Sequence, residues 1–334
     1  MTDTVDARPL LEGARPEGDA AFARYIRTGA TLETKAFTGT TGEGGGVAIP
    51  TELDGTIDAQ LVSLSPIRAI ANVVQVGSAG YRKLITSGGT PAGWAGETDP
   101  RPVTATPTFH ELVPPGGELY ANPSASQAML DDALFDSEAW LAAEIATEFA
   151  KAEGAAFVTG SGVGRPRGFL TSPASAEADG ARAFGTLQYL ASGAAGAFAG
   201  DPAERLIDLV QALRAPYRQG ACFVMNAATA AQVRKAKTRD GQFLWQPGLA
   251  AAQPATLLGY PVVEAEDMPD VAAGSASIAF GNFRLGYLIA DRGDTAVLRD
   301  PYSNKPFVTF YATRRVAGCV SDSDAIKLLR FVEK

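Results

Sequence analysis

His110 is the only histidine among 334 residues, so any histidine-dependent nucleophile or general base has to use it. It lies in Phe109-His110-Glu111-Leu112-Val113, an alternating run that reads as a strand with His110 at an exposed polar position. The two cysteines sit in apolar runs, Ala221-Cys222-Phe223-Val224 and Ala317-Gly318-Cys319-Val320, and neither has a sequence signature for an activating base. Nothing suggests a disulfide framework, and both are expected as buried thiols. One histidine with two distant cysteines also falls short of the closely spaced ligands of a zinc site, so no metal is expected.

Gly160-Ser161-Gly162-Val163-Gly164-Arg165-Pro166-Arg167-Gly168 is the segment most like a phosphate cradle. A dinucleotide loop, however, follows a strand and opens a helix. This one follows a helical pattern, Pro166 and Gly168 block another helix, and no Lys-Ser or Lys-Thr pair supplies a P-loop. It is expected to be a helix-terminating loop. Asp131, Asp132, Asp136, Glu138 and Glu144 offer carboxylates for acid–base or metal work, and on a helix Asp132 and Asp136 share a face. No basic or histidine partner accompanies them, which makes a solvated or inter-subunit acidic face the better reading. No catalytic constellation and no cofactor site emerges.

The elements that would position these residues follow from composition and periodicity. An apolar fraction of 46% and a charged fraction of 20% suit one large globular domain or two medium ones, and 36 glycines with 21 prolines predict many turns and long loops. A net charge of −8 opposes gripping nucleic acid but not enclosing it. Met1-Thr2-Asp3-Thr4-Val5-Asp6 is acidic with no apolar run behind it, so no secretory signal is expected, nor any membrane span. A soluble, cytoplasmically made protein is expected.

Residues 1 to about 45 read as a loosely ordered arm, ending in the glycine-rich Thr38–Gly46 stretch. A helix is predicted from Pro50 through Leu64, and strands at Val73–Val76 and Arg82–Ile85. Thr86–Pro107, around Trp94-Ala95-Gly96-Glu97, shows no core pattern; strand character resumes at Phe109–Val113 and Leu119–Ala121, which makes a two-stranded flap. Ser124–Gly160 reads as helical, capped in its main part by Asp136 or Ser137, with Leu141, Ile145, Phe149, Ala152 and Ala156 on one face. Residues 170–200 are weakly patterned. Asp201-Pro202 starts a helix with Leu206, Leu209, Val210 and Leu213 as its stripe and Pro216 as its stop; Cys222–Met225 is a buried strand, and Asn226 caps a helix to about Lys237. Strands are predicted at Leu257–Glu264, Ile278–Phe280, Leu285–Ala290, Ala296–Arg299 and Phe307–Ala317, giving an α+β chain interrupted by the flap.

These landmarks resemble the major capsid proteins of tailed phages with the Hong Kong ninety-seven type fold. The matching segments are Gly45-Gly46-Val47-Ala48-Ile49-Pro50, Ser65-Pro66-Ile67-Arg68, Trp94 with Glu97, and Asp136-Ser137 before the long helix. Glu153-Gly154-Ala155-Ala156-Phe157-Val158-Thr159-Gly160 running into Pro166-Arg167-Gly168-Phe169-Leu170, Phe223-Val224-Met225-Asn226, Leu258-Gly259-Tyr260-Pro261-Val262, Met268-Pro269 and Phe280-Gly281-Asn282-Phe283 before Gly286-Tyr287 continue the match. The resemblance implies an N-terminal arm (1–65), an extended β-hairpin loop (72–121), a peripheral domain with a spine helix (122–200 and 291–318) and an axial domain (201–290 and 319–334).

It further implies a shell subunit forming pentamers and hexamers of an icosahedral particle that encloses double-stranded DNA without sequence-specific binding. Partners would be copies of itself with scaffolding, portal and prohead protease proteins, in a phage or gene-transfer-agent capsid assembled in the bacterial cytoplasm. Trp94, Glu97, Lys83, Ile49 and Pro50 are the implied subunit-contact residues. An encapsulin-like nanocompartment is the alternative, and a His110-dependent hydrolase a remote one. Two departures stand out. Only about 45 residues precede the glycine-rich hinge, too few for the helical scaffolding segment of many members. The isopeptide cross-link of some relatives also lacks its parts: Thr86–Pro107 holds no lysine, the only flap candidate is Lys83 near the base, and the acceptor asparagine's place falls near Thr309 rather than at Asn304.

Overall fold

A computed structural model describes residues 65–77, 80–87, 92–98, 101, 103–104, 106–126, 137–235, 245–246 and 256–333. The expected arm with Ile49 and Pro50, the helix from Pro50, the carboxylates Asp131, Asp132 and Asp136, the end of the helix beyond Lys235 and parts of Thr86–Pro107 lie outside them.

In chain order the elements are α1 (Pro66–Ile70), β1 (Asn72–Gln75), β2 (Lys83–Ser87), β3 (Thr108–Leu112), β4 (Gly116–Ala121), β5 (Ser124–Ser126) and the long α2 (Ser137–Thr159). Then come β6 (Ala174–Ser175), β7 (Leu187–Ala191), β8 (Gly193–Ala194), β9 (Ala197–Phe198), α3 (Pro202–Ala212), α4 (Ala215–Arg218), β10 (Cys222–Met225) and α5 (Ala227–Lys235). The chain closes with β11 (Trp245–Gln246), β12 (Thr256–Leu257), β13 (Tyr260–Glu264), β14 (Ala276–Gly281), α6 (Phe283–Gly286), β15 (Tyr287–Asp291), β16 (Ala296–Asp300), β17 (Phe307–Val320) and β18 (Ile326–Arg330).

Two sheets organise these elements. A six-stranded sheet is built on β17, whose 14 residues pair with β15 and β16 on one edge and β4 and β5 on the other, with β1 added beyond β15. β17 alternates strictly from Phe307 to Val316, burying Val308, Phe310 and Ala312 against Ile145, Ala146, Phe149 and Ala150 of α2. An eight-stranded sheet runs in the order β11-β12-β13-β10-β14-β18-β7-β6 and is covered by α3 through Leu206, Leu209, Val210 and Leu213. A third cluster, with Phe157, Phe169, Val224, Tyr287, Ile289 and Leu328, joins the two sheets.

The helix signals are borne out where capping and periodicity coincide. The Asp201 side chain accepts the Ala203 N–H at 2.9 Å, Pro202 occupies the first turn, and Leu206, Leu209 and Leu213 are fully buried, each contributing roughly 1.5–3 kcal/mol. Asn226 likewise accepts the Thr229 N–H at 2.8 Å. Pro216, expected only as a stop, sits instead inside the short α4.

Other expectations are corrected. Ser124–Ser126 is a strand edge on β17, not the start of a helix, because the sheet offers hydrogen bonds that three small residues take readily. Ala152 is exposed; the buried face of α2 passes through Glu153, Gly154, Phe157 and Val158. Phe283–Gly286 is a helical turn before β15 rather than the start of a strand. The weakly patterned 170–200 stretch holds β7, which pairs in parallel with the unanticipated β18. β7 joins the eight-stranded sheet and β15 the six-stranded one.

The glycine-rich loop after α2 is a clasp. Gly168 N–H donates to the Gly160 carbonyl at 2.9 Å, Arg167 N–H to Gly318 of β17 at 2.9 Å, and Gly318 N–H to Pro115 at 3.0 Å. Gly117 of β4 lies so close to the Gly164 carbonyl that a Cβ there would stand 1.9 Å from its oxygen. Gly117→Ala is therefore expected to lower stability by about 1–3 kcal/mol in denaturant titration; an unchanged midpoint would show that the clasp yields without cost.

Candidate subunit-contact surfaces and the core that mounts them

Four charged side chains meet beneath the six-stranded sheet: Arg68 of α1, Glu153 of α2, Asp291 of β15 and Arg314 of β17, each 0–3% exposed. Arg68 donates to Glu153 at 3.0 and 2.7 Å and to Asp291 at 2.6 and 3.2 Å. Arg314 donates to Asp291 and to Thr295 Oγ1, both at 2.9 Å, and its Nε lies 3.2 Å from Glu153. Two guanidiniums against two carboxylates leave no net charge, the condition for ions to survive burial. Burial works against the Arg68 charge, but Glu153 and Asp291 outweigh it and raise its pKa. Burial also pushes the Glu153 carboxyl up, against the opposing pull of Arg68 and Arg314. The cluster fixes the segment that follows residue 64 to the long helix and to the sheet at once.

The flap is the hairpin β2–β3, with Ile85 opposite His110 and Thr86 opposite Phe109. Its strands form a separate two-stranded sheet. One face carries Leu84 at 70%, Phe109 at 67% and, just past β3, Val113 at 57% exposure; Trp94 and Val103 beyond the paired strands are fully exposed. Large apolar side chains do not collect on an exposed hairpin unless another surface covers them. Trp94 and Glu97 are both exposed beyond the hairpin, whereas Lys83 is half-buried at its root. His110 is not the exposed position expected: pairing turns Phe109 outward and lays His110 on Phe184, ring centroids 4.4 Å apart. Both thiols are buried as expected; burial raises Cys222 to about 12 and Cys319 to about 12, the latter against the pull of Arg167 and Lys83.

The outer face of the six-stranded sheet, turned away from α2, is also apolar. Leu298 pairs with Tyr311 and Tyr120 with Thr313, the Tyr120 and Tyr311 ring centroids are 6.4 Å apart, and Phe307 follows at the strand end. All four large side chains are at least 38% exposed. Asn304 and Thr309 border a hollow on this face with Ser124, Asp300 and Tyr311.

The phage capsid family matches residues 45–331. The chain belongs to the phage capsid family. It is a structural capsid protein, and among solved structures it is similar to the capsid of an empty GTA (gene transfer agent) particle, with 47% identity, a TM-score of 0.73, and coverage of 89% of this chain and 95% of that one. The capsid of a native GTA particle gives 48% identity, a TM-score of 0.72, and 91% and 98% coverage. A capsid-fold neighbour from Mycobacterium phage Cain, at 15% identity and a TM-score of 0.54 over 80% of this chain and 90% of that one, shares the fold. No curated protein sequence matches the chain. As a capsid protein it has a structural role, and the mixed sheets and helices are those of the capsid fold. Sequence reasoning had marked the flap surface but not the buried four-ion cluster, whose signal was Arg68 in Ser65-Pro66-Ile67-Arg68 and Glu153 on the helix face.

Proposed function

We propose that copies of this chain close an icosahedral shell of pentamers and hexamers around double-stranded DNA, in a phage or gene-transfer-agent particle assembled in the bacterial cytoplasm. The observation that carries this reading is the exposed flap face on which Leu84, Phe109 and Val113 alternate with Thr86 and Glu111, standing free of the subunit's own core beside fully exposed Trp94. In the shell this face rests on a neighbour's Tyr120, Tyr311, Leu298 and Phe307, while the arm with Ile49 and Pro50 clamps another subunit. The arm, flap, peripheral and axial parts keep the roles the resemblance gave them. Scaffolding, portal and protease proteins act as partners during assembly. Near-half identity to two GTA capsids favours this reading over a cargo-enclosing nanocompartment. The flat stack of His110 on Phe184 supports a packing role for it.

Electron microscopy of the purified chain tests the reading: closed shells or capsomer rings are expected, and a stable monomer at high concentration in sedimentation would sink it. The shell should also lack covalent cross-links, because Lys83 is held at the flap root and Thr309, paired on both sides within the sheet, has no carboxamide to attack. Boiled, reduced particles are expected to run as single subunits on a denaturing gel. A ladder that disappears in Lys83→Ala would overturn this.

A further inference from the structure

His110 of β3 and Phe184 lie almost parallel, 4° between their planes. Phe184 belongs to the connection between β6 and β7, and that connection is pinned by charge. Arg182 donates to the Thr186 carbonyl at 3.0 Å, to Asp324 at 2.8 Å and to Asp179. Asp179 also takes Lys327, and Arg214 at 3.1 Å. Lys327 is fully buried in β18, inside the eight-stranded sheet, where an ammonium persists only with a counter-charge. Asp179 supplies it, so the 178–186 connection is held to the sheet by the need of that lysine. The connection is tied down by charge, and its Phe184 meets a hairpin that, among the described residues, pairs with no other strand.

We infer that this connection is a strut: Phe184 seats His110 and sets the angle of the flap before a neighbouring subunit arrives. The inference rests on the shell-building reading. A flap already held in its working orientation loses less freedom on docking, so assembly is faster than with a swinging hairpin. Arg182 and Asp179 make the seat stiff; His110 and Ile85, on one face of the hairpin, make it fit.

The test uses the full chain. Phe184→Ala removes the seat and Phe184→Tyr keeps it. The alanine variant is expected to exchange its 83–87 and 108–112 amide hydrogens about threefold to tenfold faster, with shell formation followed by light scattering slowed by a similar factor. The tyrosine variant should match the unmodified protein in both. In a second arm, His110→Cys with Phe184→Cys is bridged by a short bis-maleimide, the native thiols being buried. The bridged subunit should assemble at least as fast as the unmodified protein. An alanine variant that assembles at the unmodified rate, or a bridged subunit that folds but does not assemble, overturns the strut. Unmodified protein that forms shells in parallel keeps the shell reading separate from that outcome.

Discussion

Replacing Arg68 with methionine is expected to destabilise the subunit by about 3–5 kcal/mol, a large share of the ~5–15 kcal/mol that holds a typical domain together. The loss would leave Glu153 and Asp291 buried with only Arg314 between them, one uncompensated negative charge in a place without solvent. Arg68→Lys should rescue little, because one ammonium cannot present the fork that spans both carboxylates. Glu153→Met placed on top of Arg68→Met should recover part of the loss, since it restores a neutral cluster of Asp291 and Arg314. As a control, Lys151→Ala removes an exposed, solvent-screened pair with Glu148 and should leave the unfolding midpoint nearly unchanged. Denaturant unfolding measures all four. A single Arg68→Met variant within 1 kcal/mol of the unmodified protein would mean that the cluster is not what binds α1 to the long helix and the sheet.

Shortening the flap should have the opposite signature, with stability kept and assembly lost. Among the described residues β2 and β3 pair with each other and with no other strand, so replacing Thr86–Pro107 by a tight turn leaves both large sheets intact. The melting temperature of the free subunit is expected to stay within a few degrees, while closed shells disappear from micrographs and sedimentation shows subunits or small rings. The lost surface includes Trp94 and Val103, whereas Leu84, Phe109 and Val113 stay on the shortened hairpin. Shells of normal size from the shortened chain would refute the proposed role of the flap.

Much of the fold was legible because local and global preferences agree. Asp201-Pro202 with a four-residue apolar stripe could hardly be anything but a capped helix, and the alternation of β17 announced a sheet with one covered face. What escaped reading was charge inside the core. Ile326–Arg330 was not among the predicted strands; it is a buried strand that carries Lys327, whose compensating Asp179 lies 148 residues away. The predicted stripe of α2 included Ala152, which is exposed, whereas Glu153 beside it is buried among Arg68 and Arg314. Periodicity describes one element, whereas the partners that permit a buried ion come from elsewhere in the chain. The polarity of β3 failed differently. Phe109 faces out and His110 in because the hairpin serves a second surface, and a rule that sends apolar residues inward presumes a single one.

The long central strand of the six-stranded sheet has a mechanical meaning. Over 14 residues β17 extends for about 46 Å, held on both edges, and only five residues separate its end from β18 in the other sheet. A pull applied near Phe307 therefore travels along covalent backbone from one sheet into the next through that short connection. Load along that line sets the flanking ladders in shear, so their hydrogen bonds resist together rather than peeling apart one by one. The line of β17 is therefore the direction along which the subunit resists stretching most.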